Sequence, residues 1–169
     1  MANFIDMHGF NIWDIPATAR VIPVNTVGTM GAGLAKQADE RVPGLSRAYK
    51  KECKGGFKVG EIFVYPDSDC FYICFPSKED WRDKAKLEHI VLGLQALAET
   101  LVGMNSTLGL VGNEHYPLIT LSIPPVGAGL GNVARRQQWG EHTHIHPDAV
   151  RTLIKHHLAL VPNLTVFVF

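Results

Sequence analysis

Five short runs rich in β-branched and aromatic residues punctuate the chain, at 20–25 (RVIPVN), 61–65 (EIFVY), 70–75 (CFYICF), 118–123 (LITLSI) and 164–169 (LTVFVF). Each has the length and composition of a β-strand, and a weaker pair lies within 2–13. Between them the apolar period changes from two to about 3.6. In 84–102, Leu87, Ile90, Val91, Leu94, Leu97, Ala98 and Leu101 fall on one helical stripe. A second helix is predicted from Pro147 to about Leu160, with Val150, Leu153, Ile154 and Leu158 inward and proline in the first turn, where its missing N–H costs nothing. Two shorter helices, 33–42 and 44–54, are split at Pro43-Gly44 and closed by Gly55-Gly56. Pro66-Asp67-Ser68-Asp69 reads as a hairpin turn and 103–117 as an inserted loop. Strands alternating with helices in this way predict an α/β fold: a mixed, mostly parallel sheet with helices on both faces.

With 169 residues, 46% of them hydrophobic, the chain suits one domain spanning 1–169. Sixteen basic residues balance sixteen acidic ones, so no global positive field recruits nucleic acid and any such contact is local. No run approaches the ~20 apolar residues that span a bilayer, and the N-terminus lacks a signal-peptide pattern. The expectation is a soluble, cytoplasmic protein without a membrane partner. Three cysteines, Cys53, Cys70 and Cys74, match no metal-ligand spacing, and the latter two read as buried strand thiols.

The tetrapeptide Gly-Ala-Gly-Leu occurs twice, at 31–34 and 127–130, each time after a predicted strand. At the carboxyl ends of such strands, glycines let backbone N–H groups approach an anion. The first copy, within Gly28-Thr29-Met30-Gly31-Ala32-Gly33, also opens a helix, whose first N–H groups and partial positive charge favour phosphate. Two such loops suit a diphosphate held from both sides. The dinucleotide fingerprint fails because Lys36 stands where a small residue is needed, and no Gly-Lys-Ser/Thr of a P-loop occurs.

Val24-Asn25 followed by Gly28 to Ala35, together with Pro124-Pro125-Val126-Gly127-Ala128-Gly129-Leu130-Gly131, resembles the macrodomain family of ADP-ribose-binding, three-layer α/β/α modules. Phe75-Pro76-Ser77-Lys78, with Trp81-Arg82 close behind, is similar to the DarG-like branch, which removes ADP-ribose from thymidine in DNA. It is also similar to the terminal ADP-ribose protein glycohydrolase. The resemblance runs from about Asp14 to Phe169.

This resemblance implies a set of roles. Asp14, with Ile15 beside it, matches the aspartate that accepts from the adenine amino group, and Asn25 the asparagine on the distal ribose. Gly28, Met30, Gly31, Ala32, Gly33 and Leu34 would form one side of the ADP-ribose cradle; Pro125, Val126, Gly127, Ala128, Gly129, Leu130 and Gly131 would form the other. Lys78 is the expected catalytic residue, either as a neutral amine attacking the anomeric carbon or as a charged group stabilising the departing base. Trp81 and Arg82 would meet a nucleic-acid strand by stacking and phosphate pairing. The protein-directed enzyme carries an aspartate directly after its second loop; Gly131 stands there in this chain, which favours a DNA substrate.

The implied partners are ADP-ribose, ADP-ribosylated single-stranded DNA and a DNA ADP-ribosyltransferase toxin, with no cofactor and no metal. A phosphatase acting on ADP-ribose 1″-phosphate and a non-catalytic ADP-ribose reader are the alternatives. His142, His144 and His146 at alternate positions suggest imidazole ligands, but no cysteine is near and the family uses no metal there. Arg135, Arg136 and Trp139 fall in a stretch that departs from the branch pattern.

Overall fold

The computed structural model of the protein describes residues 1–109, 119–129 and 145–169. In chain order the elements are β1 (Asn3–Asp6), β2 (Ala19–Asn25), α1 (Gly33–Arg41), α2 (Leu45–Lys54), β3 (Phe63–Pro66), β4 (Phe71–Lys78), α3 (Leu87–Gly109), β5 (Ile119–Ile123), α4 (Pro147–Leu158) and β6 (Leu164–Val168). They form a six-stranded sheet of order β1-β6-β5-β2-β4-β3. Every neighbouring pair is parallel except β3–β4, the antiparallel hairpin expected around Pro66, whose turn is closed by Asp67 N donating to Cys70 O at 3.0 Å.

The alternation of side chains along each strand separates two cores. Val21, Ile73, Phe75, Leu121, Ile123 and Val166 face Ile90, Leu94, Leu97 and Leu101 of α3 and Val150, Ile154 and Leu158 of α4. On the other face Ile22, Val24, Tyr72 and Cys74 meet Ala35, Ala38, Val42, Leu45 and Tyr49 of α1 and α2. This is the predicted three-layer α/β/α arrangement. Helix α3 is long and apolar enough to cross a membrane on length and composition, but its inward stripe of Ile90, Leu94, Leu97 and Leu101 is fully buried in the core. Cys70 and Cys74 are buried as expected, and burial pushes both thiols up.

Three expectations are corrected. The segment 2–13 holds one strand rather than a pair: β1 and β2 both run parallel to the sheet, so the chain must turn after Asp6 and return, which it does from Met7 (N donating to Val168 O at 2.7 Å) through Gly9 at φ 81°. Residues 103–109 continue α3 instead of starting a loop. Ser106 and Thr107 turn their hydroxyls back onto the carbonyls of Val102 and Gly103, at 2.9 and 3.0 Å, and the nearly buried Asn105 donates to Pro162 O at 2.7 Å. Tertiary contact thus overrides residue types that usually favour turns. Strand β4 also runs three residues past the expected end at 75, which puts Lys78 on a strand terminus.

Candidate functional site

Strand β2 lies between β5 and β4, so the carboxyl ends of three parallel strands stand side by side. Ile123 leads into the second glycine loop, Asn25 into the first, and Lys78 into the turn carrying Trp81. The chain leaves β2 towards β4 on one side and later enters β5 on the other. Such a reversal leaves a crevice at the strand ends.

The first loop is shaped by Asn25. Its Nδ2 donates to Thr29 O at 2.8 Å and its Oδ1 accepts from Thr29 N at 3.1 Å, so the amide spans the turn it begins. Below it the Tyr49 hydroxyl donates 2.8 Å to Asn25 O; burial pushes the phenol up, keeping it a donor. Asn25 therefore holds the loop first, and one N–H and one lone pair of its amide remain for a ligand. Gly28, at φ 83°, lies so close to α2 that a Cβ would stand 3.2 Å from Lys50 Cα and 3.3 Å from Cys53 Cβ. Met30 turns inward to the core, so only its backbone serves the loop. Ala32 caps α1 in an extended conformation with no side-chain hydrogen bond, and the first turn contains no acidic residue. The opening N–H groups of α1 are thus available and uncompensated.

The second loop is built differently. Pro125 O accepts from Ala128 N at 3.0 Å, Val126 is fully buried, and Gly127 at φ 79° presses on the start of α3, with a Cβ there only 2.7 Å from Ile90 Cδ1 and 3.1 Å from Ala85 Cβ. The two copies of Gly-Ala-Gly are therefore not one turn used twice. The left-handed residue is Gly33 in the first and Gly127 in the second. The remaining pair, Gly31 and Gly129, needs no left-handed backbone; among the described residues an added Cβ would meet Thr29 Cγ2 at 3.6 Å in the first and nothing within 4 Å in the second. Among the described residues neither backbone conformation nor packing requires glycine at these two positions. Leu34 is half-buried against the α1–α2 core. Leu130 and Gly131 lie outside the described residues, as do Arg135, Arg136, Trp139, His142 and His144. His146 caps α4, its Nδ1 accepting from Asp148 N at 3.2 Å.

A register shift between Val24 and Asn25 brings Lys78 level with Asn25 across the β2–β4 pair. The two strand exits are joined: Thr26 N donates to the carbonyls of Lys78 and Glu79 at 3.2 and 3.0 Å, and Val27 N donates to Glu79 O at 3.2 Å. Lys78 Nζ donates to Asp83 O at 3.3 Å. In the turn beyond, Asp80 accepts from Arg82 N and Nε at 2.9 and 2.8 Å through one oxygen and from Nη2 at 2.8 Å through the other. That fork raises the affinity of Arg82 for its proton and engages the guanidinium within the turn, so a phosphate must compete with Asp80 for it. The Arg82 guanidinium also lies 5.6 Å from the ring centroid of Trp81, which is 57% exposed at the tip.

Asp14 is exposed on the return segment after β1. Its neighbours fix that segment: Trp13 Nε1 donates 2.7 Å to Gln37 Oε1 on α1, the indole lies between the guanidinium groups of Arg20 and Arg41 at 5.0 and 4.8 Å, and Arg20 Nη2 donates 2.8 Å to Ile15 O. Of the residues singled out from the sequence, Asn25, Gly28 and Lys78 lie together at the ends of β2 and β4 and Asp14 lies on the return segment before β2; nothing in the sequence signalled the supporting roles of Trp13, Gln37 and Tyr49. These act through partners 24 residues away in sequence. Among the described residues no group of three or more histidine, cysteine or acidic side chains could hold a metal ion.

No family model matches the chain. It is 34% identical over 128 residues to the DNA ADP-ribosyl glycohydrolase of Thermus aquaticus, an alignment covering 73% of this chain and 32% of that protein. The macrodomain of Mycobacterium tuberculosis DarG superposes with a TM-score of 0.77 at 26% identity, covering 99% of this chain and 96% of that one. The macrodomain of Thermus aquaticus DarG gives 0.73 at 27% identity, covering 100% and 97%. The chain spans about a third of the length of the curated relatives it matches.

Proposed function

The chain belongs to the macrodomains, in their DarG-like branch, and from that premise we propose that it removes ADP-ribose from thymidine in single-stranded DNA. The observation that carries this reading is Lys78 standing level with Asn25 at the strand ends, beside a glycine loop that opens a helix N-terminus. The diphosphate would lie across the backbone of Gly31 to Leu34 and of Pro125 to Gly131, with the adenine amino group donating to Asp14. Overall, the bond between the anomeric carbon and the base nitrogen breaks, the carbon gains the oxygen of a water, and the nitrogen takes a proton. Lys78 serves this in one of two ways. As a neutral amine it attacks the anomeric carbon and is later displaced by water; as an ammonium it stabilises the charge developing on the base. Trp81, exposed at the tip of its turn, offers a face on which a flanking base can stack. In this reading the 169 residues act as one macrodomain in the cytoplasm, and its natural counterpart is a DNA ADP-ribosyltransferase toxin.

The test is an oligonucleotide ADP-ribosylated on thymidine, incubated with the protein and with Lys78→Ala and followed by gel shift. Clearance by the native protein and not by the variant is expected, with ADP-ribose binding retained in both. If neither clears the modification while both bind ADP-ribose, the reading fails, leaving an ADP-ribose reader or a phosphatase acting on ADP-ribose 1″-phosphate. Borohydride reduction during turnover traps an adduct on Lys78 only if its amine is the nucleophile.

A further inference from the structure

The chain is neutral overall, but its charge is unevenly placed. Between residues 41 and 58 stand six cations, Arg41, Arg47, Lys50, Lys51, Lys54 and Lys58, against one carboxylate, Glu52. Four of them, Arg47, Lys50, Lys51 and Lys54, recur on α2 at i, i+3, i+4 and i+7, and so share one helix face. All four are exposed, while Leu45 and Tyr49 on the opposite side are fully buried.

Several cations elsewhere on the surface are paired. Lys36 sits 3.8 Å from Glu40, Arg82 2.8 Å from Asp80, Arg151 2.7 Å from Asp148 and Lys155 2.8 Å from Asp6. Among the described residues Arg47, Lys50, Lys51 and Lys54 form no ion pair within 4.0 Å. The edge of this face also meets the site, since Gly28 of the first loop packs between Lys50 and Cys53. Asp39 of α1 lines a surface hollow with Arg47 and Lys50 without an ion pair within 4.0 Å to either, so the face keeps an excess of positive charge that stabilises a polyanion laid along it.

We propose that this face of α2 is the track for the phosphodiester backbone of the single-stranded DNA whose modified base is presented at Lys78. The inference rests on the function proposed above and adds where the strand runs. Arg47 to Lys54 span about 10 Å along the helix, the length of roughly three stacked nucleotides at about 3.4 Å each. Arg82, engaged by Asp80 at 2.8 Å, is a poorer phosphate ligand than these cations, which form no ion pair within 4.0 Å among the described residues. The track supplies affinity without reading sequence, as phosphate contacts do.

The experiment compares the full chain with the triple variant Arg47→Gln, Lys51→Gln, Lys54→Gln, all surface changes distant from the cradle, using fluorescence anisotropy of a thymidine-containing single strand against salt concentration. Each neutralised single-strand phosphate contributes about 0.7 to the slope of log K on log salt, so the variant should show a slope shallower by about 2. At 0.1 M salt this corresponds to roughly hundredfold weaker DNA binding, with ADP-ribose affinity unchanged. An unchanged slope overturns the proposal. So does a stripe-dependent preference for polyglutamate or anionic vesicles over the oligonucleotide, which would assign the face to an acidic protein or a membrane. The two readings fail separately: a protein that binds the strand through α2 without clearing the modification loses the proposed function alone, and one that clears it with an unaltered salt slope loses only the track.

Discussion

Gly129 and Gly127 stand two residues apart and should respond to substitution in opposite ways. At Gly129 an added Cβ meets nothing within 4 Å among the described residues, and no left-handed backbone is required. Gly129→Ala should therefore leave stability unchanged or raise it by about 0.4–1 kcal/mol, because alanine restricts the unfolded chain. At Gly127 the backbone is at φ 79° and the new methyl would stand 2.7 Å from Ile90 Cδ1 and 3.1 Å from Ala85 Cβ. The left-handed conformation costs a non-glycine residue about 1–2 kcal/mol and overpacking costs about 1–3 kcal/mol, so Gly127→Ala should lose about 2–5 kcal/mol. For a domain of this size that is a fall in Tm on the order of 10 °C. Ligand response reverses the order. A ligand at a hundred times its Kd stabilises the native protein by about 2.7 kcal/mol. Gly129→Val fills the open space over the loop and should abolish that shift while its unliganded Tm stays near native, and Gly31→Val should do the same. Gly127→Ala, where it folds, should retain part of the response. Thermal melts with and without ADP-ribose decide this. If Gly129→Val melts and binds like the native protein, the open space over that glycine is not ligand space and the cradle argument is wrong.

Three further outcomes are expected. Tyr49→Phe keeps the buried ring but removes the 2.8 Å bond to Asn25 O, and should cost about 1–3 kcal/mol in urea unfolding because the carbonyl loses its buried donor; an unchanged midpoint would mean the carbonyl finds another partner. Trp13→Leu removes the Gln37 bond and the stacking on Arg20 and Arg41, together worth about 2 kcal/mol, and should weaken ADP-ribose binding more than ribose-5-phosphate binding in calorimetry. Equal losses for both ligands would break the link between Trp13 and the adenine end. Asp6 is held below its usual 3.8 by its hydrogen bond to Lys155. A depressed carboxylate stabilises the fold above its unfolded pKa, and that contribution disappears as pH falls below 3.8 towards the folded value. Asp6→Asn should accordingly flatten the acid limb of the stability curve below pH 4 and leave its shape at neutral pH unaltered.

What the sequence determined by itself was local. A period of two or 3.6 is a property of consecutive residues, and from it β2, β4, β5, β6, three of the four helices and the start of α3 could be located within a few positions, as could the hairpin at Pro66. The glycine loops were legible for the same reason, because each is a contiguous motif, whereas the role expected of Lys78 came from the family resemblance of the segment around it. The tertiary structure decided everything that depends on which segments meet. The extension of α3 to Gly109 rests on Asn105 reaching Pro162, 57 residues away. The level placement of Lys78 and Asn25 comes from a register shift between two strands, and pairing register is set by packing across the sheet rather than by either strand alone. The repeated Gly-Ala-Gly looked like one device in the sequence but folds as two turns, because one copy opens a helix and the other is pressed against Ile90. The basic face of α2 was written in the spacing of Arg47, Lys50, Lys51 and Lys54, but its nearness to the site was not, since only folding brings Lys50 against Gly28.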